Sequence, residues 1–145
     1  MTLTDLDDCF ARGKLRTVPS SNDKAQESLA TAWAYLEEAK QVVPAGSFRL
    51  ATNGVYFAWF HAARALLFRD GVREKSHYCI GRYLETYAGS GRLEGKWVTL
   101  FDRIRKKRED NQYSSDVPSS KEEIEGSLVL AEQFIKTIED LIKNP

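Results

Sequence analysis

An almost uninterrupted apolar segment at residues 51–70 constrains the fold more than any other part of the chain. Residues 55–68 contain only two clearly polar side chains, His61 and Arg64, and the apolar ones occupy nearly all sides of a helical projection. Such a helix must be covered on several sides, as in the middle of a bundle. The run is about 14 residues long, short of the roughly 20 that cross a bilayer. Because Gly71 suits a left-handed helix end, we predict a central buried helix, not a membrane anchor.

Amphipathic patterns on both sides of this segment predict the remaining elements. Apolar residues recur at helical spacing over residues 23–43, 76–87, 93–110 and 121–143, and residues 1–20 contain a short amphipathic arm or helix that packs on the bundle. Residues 111–120 are polar and are predicted to form a loop. No segment alternates as a strand does, so no sheet is expected. The prediction is one all-α domain over residues 1–145, an up-and-down bundle of four to five helices.

The composition excludes few classes of function and favours an ordinary location in the cytoplasm. The 21 lysine and arginine residues balance 21 aspartate and glutamate residues, so net charge gives no argument for nucleic acid or membranes. Cys9 and Cys79 form no motif and do not predict a disulfide framework. The first residues lack a basic region followed by an apolar run, as a secretory signal would have. We therefore expect a cytoplasmic location and no membrane partner.

Motifs for metal binding or nucleophilic catalysis are missing from the sequence. No Cys-x-x-Cys, His-Glu-x-x-His, phosphate-binding glycine loop or Gly-x-Ser-x-Gly occurs. His61 and His77 lie on different predicted helices at no spacing that indicates shared ligation. His61 is interpreted as a hydrogen-bonded histidine in a crowded bundle, and His77 as an exposed residue at a helix start. No metal and no cofactor are predicted.

The segment 101–113 concentrates five cations near a predicted helix end: Arg103, Arg105, Lys106, Lys107 and Arg108. Two interpretations stay open. Cations at a helix C-terminus interact favourably with the helix dipole, by about 0.3–1 kcal/mol each. Alternatively, the cations form a phosphate-binding patch, with Tyr113 as a stacking or hydroxyl-bearing partner.

Two parts of the chain resemble HEPN domains. The segment YFAWFHAARALLFRDGVREKSH, residues 56–77, is similar to the second helix and following turn of a HEPN-like bundle family with the pattern Tyr-Tyr-Ala-x-Phe-His-Ala-Ala-Arg-Ala-Leu-Leu. Residues 7–16 and 24–40 resemble the first segments of that family. His61 and Arg64, with the two alanines between them, stand in the order and frame of the family, and the resemblance implies that both are structural features of it.

The resemblance implies a helical bundle that forms two-fold dimers. Many HEPN domains are metal-independent ribonucleases and toxins paired with a small nucleotidyltransferase antitoxin, and others bind nucleotides or RNA. Active members carry an arginine, four to six residues, a histidine and often x-Tyr. Here Arg105 matches the arginine and five residues separate it from Asn111. Tyr113 matches the tyrosine that receives an adenylyl group in some pairs.

The chain departs from this motif because Asn111 stands where the histidine would fall. A ribonuclease of this kind needs a group of near-neutral pKa to take the proton of the ribose 2′-hydroxyl. Asn111 orients a hydroxyl or donates to a phosphate, but it cannot be that base. Arg105 or Arg108 would hold the phosphate, and His61 is a replacement base only if the bundle brings it to the same cleft.

Three hypotheses follow for the function. The chain is the toxin-like half of a HEPN–nucleotidyltransferase pair, or a ribonuclease that uses Arg105, Arg108, Asn111 and Tyr113 in a dimer cleft, or a protein that binds RNA or a nucleotide through residues 103–108. The homodimer is expected to use apolar surface that one bundle leaves uncovered, at Trp97, Phe101, Phe134 and Leu141.

Overall fold

The computed structural model describes residues 4–113 and 120–144, with side chains for residues 4–110 and 120–144. In chain order the elements are α1 (Asp5–Ala11), β1 (Leu15–Thr17), α2 (Asn22–Val42), α3 (Phe48–Asp70), β2 (Val72–Glu74), α4 (His77–Gly89), α5 (Gly95–Tyr113) and α6 (Lys121–Lys143). The predicted all-α helical bundle is confirmed. The first four predicted helices differ from the observed ones by a few residues at their ends. The last matches at both ends, with Ser120 capping it by accepting a hydrogen bond from the Glu123 amide at 3.2 Å.

Helix α3 is the centre of the bundle and packs against α2, α4, α5 and α6. Tyr56, Trp59 and Leu66 on this helix are fully buried. Trp59 stacks on Phe134 of α6 with ring centroids 4.2 Å apart and ring planes 15° from parallel. The prediction of a central buried helix is therefore confirmed. Among the helices described, none has the length and apolar character of a membrane span.

Gly71 ends α3 in the left-handed conformation, with φ +79°, as its position in the sequence predicts. The chain turns back so closely that a Cβ at this residue would lie 2.7 Å from the Val18 carbonyl oxygen. The Val18 amide in turn donates a hydrogen bond to the Gly71 carbonyl at 2.9 Å. This contact brings the segment before α2 against the end of α3.

The prediction that the chain has no sheet is wrong. Strands β1 and β2 form an antiparallel ladder in which Leu15 faces Glu74, Arg16 faces Arg73 and Thr17 faces Val72. Each strand has three residues, too few for alternation to be recognised in a sequence.

A disulfide joins Cys9 of α1 to Cys79 of α4, so the expectation drawn from the two cysteines is also wrong. The two residues are 70 positions apart, and no local spacing couples them. The bond fixes the N-terminal arm to the bundle, where the Tyr78 hydroxyl also donates to Asp5 at 3.3 Å.

The apolar residues expected to form a dimer contact lie inside the bundle. Trp97 is 4% exposed, and Phe101 and Phe134 are 0% exposed. Leu141 is partly buried against the same core. These residues therefore offer no uncovered apolar stripe, and the predicted dimer surface is wrong because the bundle already covers them. Trp97 and Phe134, for example, pack against each other and against Trp59 of α3.

Candidate functional site

Three helices bring aromatic and basic side chains together at the start of α4. The members are Tyr56 of α3, His77 and Tyr78 of α4, and Arg105 and Arg108 of α5, and we refer to them as the Arg–His cluster. Helix α4 begins here because the Ser76 hydroxyl accepts a hydrogen bond from the Cys79 amide at 3.3 Å. This cap makes His77 the first helical residue and directs it toward α3.

His77 is held by a hydrogen bond to Tyr56. The distance from Tyr56 Oη to His77 Nδ1 is 2.5 Å, and the two rings stack with centroids 5.8 Å apart. If the imidazole carries its proton on Nδ1 and donates to the tyrosine oxygen, the lone pair of Nε2 is available to accept a proton.

The two arginines lie over the tyrosines of the cluster. The guanidinium carbon of Arg108 is 5.4 Å from the Tyr56 ring centroid, and that of Arg105 is 5.6 Å from the Tyr78 ring centroid, within the range of cation–π attraction. Arg105 also forms ion pairs with Asp102 at 3.9 Å and Glu109 at 3.3 Å. Among the side chains that the structure describes, no carboxylate lies at ion-pair distance from Arg108.

Burial and positive charge keep His77 neutral. Burial is the main cause that lowers its pKa, and Arg108 and Arg105 lower it further. Burial raises the pKa of the Tyr56 hydroxyl, against the opposing effect of the same arginines. The cluster therefore pairs a neutral imidazole with a protonated phenol beside two permanent positive charges.

The helix–helix spacing beside Arg105 depends on Gly81 of α4. A Cβ on Gly81 would lie 2.7 Å from the Asp102 carboxylate. Asp102 accepts a hydrogen bond from Arg82 and forms the ion pair with Arg105. The absence of a Cβ at Gly81 thus leaves room for the Asp102 carboxylate, one of the two ion-pair partners of Arg105.

The five cations of residues 103–108, which one interpretation of the sequence joins in a phosphate-binding patch, lie in different environments in the structure. Arg105 and Arg108, three residues apart on α5, are partly buried in the Arg–His cluster, whereas Arg103 and Lys106 are exposed. Lys107 is exposed and pairs with Glu123 of α6 at 3.4 Å.

The other two predicted site residues lie in the last turn of α5. That helix continues to Tyr113, beyond the predicted start of the loop. The side chains of Asn111 and Tyr113 fall outside the described part of the chain, so the predictions for both residues stay predictions.

His61 lies next to the Arg–His cluster but outside it. Its ring stacks on Tyr35 with centroids 5.4 Å apart, and the Phe60 ring lies between His61 and His77, 5.0 Å from the former and 4.4 Å from the latter. Burial, followed by the charge of Arg64, lowers the pKa of His61 to about 4. His61 lines a different cavity of about 270 Å³ that also contains Arg64.

Because His61 stays neutral in the folded state, the free energy of unfolding is expected to vary with pH in the mildly acidic range. The unfolded chain protonates this residue near its ordinary pKa of 6.5, whereas the folded protein does so only near 4. The free energy of unfolding should therefore fall as the pH drops from 6.5 toward 4. His77, whose pKa is also lowered, acts in the same direction.

Urea unfolding of wild type and His61→Gln at about pH 7 and about pH 5.5 measures this dependence above the range where most carboxylates titrate. The variant should lose less stability on acidification than the wild type. Equal losses in the two proteins would contradict the assignment.

The family model of the HEPN domain matches residues 25–141, most of the chain. The chain belongs to the HEPN domain family. No curated protein matches it at a significant level. The matched region of this HEPN domain contains the whole Arg–His cluster together with His61 and Arg64, and it begins after α1, the disulfide residue Cys9 and β1.

His77 is the residue of this HEPN domain whose place in the candidate site its sequence position does not indicate. The sequence predicts an exposed residue at a helix start, and the exposure is wrong because His77 is half-buried against Tyr56. Tyr56 lies 21 residues earlier, and no helical period joins the two. No local pattern in the sequence couples the two residues.

Proposed function

We propose that this HEPN domain binds RNA at the Arg–His cluster and cleaves it there without a metal ion. One observation carries the proposal: His77 is hydrogen-bonded to Tyr56, and Arg108 lies over the same tyrosine ring. The neutral imidazole of His77 and the guanidinium of Arg108 are thereby held against the same side chain, that of Tyr56. These are the two groups that ribose-assisted phosphodiester cleavage requires, a base and a cation for the phosphate.

In the proposed reaction, His77 carries its own proton on Nδ1, which donates to Tyr56 Oη. Nε2 takes the proton of a ribose 2′-hydroxyl, and the 2′-oxygen attacks the adjacent phosphorus. A bond from the 2′-oxygen to phosphorus forms, the bond from phosphorus to the 5′-oxygen breaks, and solvent protonates the leaving oxygen. The products are a 2′,3′-cyclic phosphate and a 5′-hydroxyl. Arg108 and Arg105 stabilise the negative charge on the phosphate oxygens in the transition state. Tyr56 orients the imidazole and is a positioning residue.

The test is cleavage of a single-stranded RNA by purified protein in the presence of a chelator. We expect Arg108→Gln to lower the cleavage rate by about 10²–10³-fold, the usual effect of removing a group that stabilises transition-state charge. His77→Gln should lower it by about 10²–10⁴-fold. Tyr56→Phe keeps the ring under Arg108 and removes the hydrogen bond, so it should slow cleavage less than His77→Gln does.

Arg92→Gln is the matched control. Arg92 also lies over a tyrosine, 4.1 Å from the Tyr87 ring centroid, but it belongs to the segment between α4 and α5 and not to the cluster. Its replacement should leave the rate unchanged. Equal rates in wild type, Arg108→Gln and His77→Gln would exclude the cluster as the catalytic site.

RNA binding without cleavage is the second candidate, favoured by Asn111 at the place of the motif histidine. Salt-sensitive RNA binding that weakens in Arg108→Gln, with no cleavage by any variant, would support it. A nucleotide as the bound molecule is tested by competition in the same assay.

The toxin-like pairing with a nucleotidyltransferase antitoxin, with Tyr113 as adenylyl acceptor, belongs to the same proposal and rests on the family resemblance. Intact-mass analysis of wild type and Tyr113→Phe after incubation with such an enzyme and ATP tests it. An equal adduct on both proteins would exclude Tyr113 as the acceptor.

A homodimer is also part of the proposal. Its interface must use surfaces other than Trp97, Phe101 and Phe134, which are buried within one chain. Sedimentation over a wide concentration range would reveal the dimer, and a monomer throughout would exclude it.

A further inference from the structure

A second basic region lies toward the C-terminal end of α3, between the β1–β2 ladder and the start of α2. We refer to it as the Phe68 cleft and define it by Arg16, Lys24, Arg64, Phe68 and Arg73. It consists of two cavities of about 240 and 270 Å³ whose linings share Lys24, Phe68 and Arg73. No residue of the Arg–His cluster lines either cavity.

Three cations surround the single ring of Phe68. The distances to its centroid are 5.0 Å from the guanidinium carbon of Arg64, 5.5 Å from that of Arg73 and 5.9 Å from the ammonium nitrogen of Lys24. Each contact is favourable by itself, but gathering the three around one ring also brings like charges together, and their mutual repulsion opposes the arrangement.

Counter-charges in the cleft compensate only part of this repulsion. Glu74 forms an ion pair with Arg64 at 3.0 Å, and Glu27 lines the larger cavity. The smaller cavity contains three cations, Arg16, Lys24 and Arg73, and no carboxylate among its lining residues. Lys24 is also in the first turn of α2, whose Ser21 cap accepts a hydrogen bond from the Lys24 amide at 3.1 Å. The positive end of the helix dipole therefore adds to the same potential.

The β1–β2 ladder itself places like charges opposite each other. Arg16 and Arg73 are direct partners in the antiparallel register and both line the smaller cavity. Like charges in directly opposed positions destabilise a sheet. An anion bound beside both side chains would relieve this repulsion.

We propose that the Phe68 cleft is an anion site that binds phosphate groups. Guanidinium groups present paired donors that match phosphate oxygens, and three cations without an acidic lining residue suit a multiply charged group. The two cavities leave room for a group larger than one phosphate, so a diphosphate group fits the cleft. The phosphates come either from the backbone of an RNA strand or from a free nucleotide. This inference does not depend on cleavage at the Arg–His cluster.

The first probe is inorganic pyrophosphate, titrated calorimetrically at low salt into the full chain. We expect saturable binding that weakens about tenfold or more in Arg73→Gln, Arg16→Gln and Lys24→Gln, because each loses a charge-assisted contact. Lys40→Gln is the matched control for Lys24→Gln, since Lys40 is on the same helix about 24 Å away along its axis. Arg92→Gln, whose side chain belongs to neither basic region, is a second control. Both controls should bind pyrophosphate as the wild type does.

A second readout separates ligand binding from a structural role. Without ligand, Arg16→Gln and Arg73→Gln should melt at the same temperature as the wild type or higher, because each removes one half of the repelling pair. Wild type should gain thermal stability from pyrophosphate, and the two variants should not. A lower melting temperature in both variants without ligand, together with unchanged pyrophosphate binding, would overturn the proposal. So would binding lost only in Arg108→Gln, or absent altogether.

A second titration, with a single-stranded RNA and a nucleoside diphosphate, identifies the source of the phosphates. Weaker RNA binding in Arg73→Gln but not in Lys40→Gln indicates the RNA backbone. Weaker diphosphate binding with unchanged RNA binding indicates a free nucleotide. Either result supports the phosphate site. If neither is observed, the site is excluded, and the cleavage test at the Arg–His cluster is unaffected.

Discussion

Replacing Gly71 with alanine is expected to lower the free energy of unfolding by about 3 kcal/mol. A residue with a Cβ costs about 1–2 kcal/mol in the left-handed conformation that Gly71 adopts. The new Cβ would also lie 2.7 Å from the Val18 carbonyl oxygen, and overpacking of this kind adds about 1–3 kcal/mol. The clash involves backbone, so no side-chain rotation relieves it.

Gly126→Ala is the control for this substitution. Gly126 lies within α6, and a Cβ there would meet nothing within 4 Å. Alanine in a helix interior is more favourable than glycine by about 0.8–1 kcal/mol, so this variant should unfold at higher urea concentration than the wild type. Urea titrations followed by far-UV circular dichroism measure both. A Gly71→Ala variant as stable as the wild type would contradict the tight approach of Val18.

Removing the Cys9–Cys79 disulfide is expected to lower the free energy of unfolding by about 2–4 kcal/mol. The bond closes a loop with a sequence separation of 70 residues, and such a cross-link restricts the unfolded chain more than the folded one. Because the two cysteines are 3% and 1% exposed, alanine is the least disruptive replacement. The Cys9→Ala/Cys79→Ala variant should unfold at lower urea concentration than the oxidised wild type.

Reductant provides the internal control for the disulfide. Dithiothreitol should shift the wild-type midpoint toward that of the double variant and leave the double variant unchanged. Two free thiols titrated in unfolded protein that was never exposed to reductant would show that the bond is absent.

The sequence determined the helices well because their signals are local. The apolar run of α3, the glycine that ends it and the capping residues of α6 act within a few positions of one another. The β1–β2 ladder and the disulfide depend on residues far apart in the chain, and three-residue strands carry no period. The predicted dimer surface is wrong for a related reason, because apolar content alone does not say which neighbour covers Trp97 or Phe134.

The residues of the candidate site also differ in whether local sequence or tertiary packing indicates them. Arg105 and Arg108 stand out in the sequence because they belong to one basic helix end, but the sequence could not separate them from Arg103 and Lys106. The assignment of His77 requires the packing of α3 against α4. The Phe68 cleft joins residues from α2, α3 and both strands, and no single segment indicates it.

The close contact at Gly81 means that the geometry of the Arg–His cluster also depends on a residue that takes no part in its chemistry. A methyl group at this position would displace the Asp102 carboxylate, which is one of the two ion-pair partners of Arg105. A related chain could therefore retain every member of the Arg–His cluster and still hold its arginine in a different place, if alanine replaced this glycine. Judging whether such a relative is active requires inspecting the residue at this helix crossing as well as the reactive side chains.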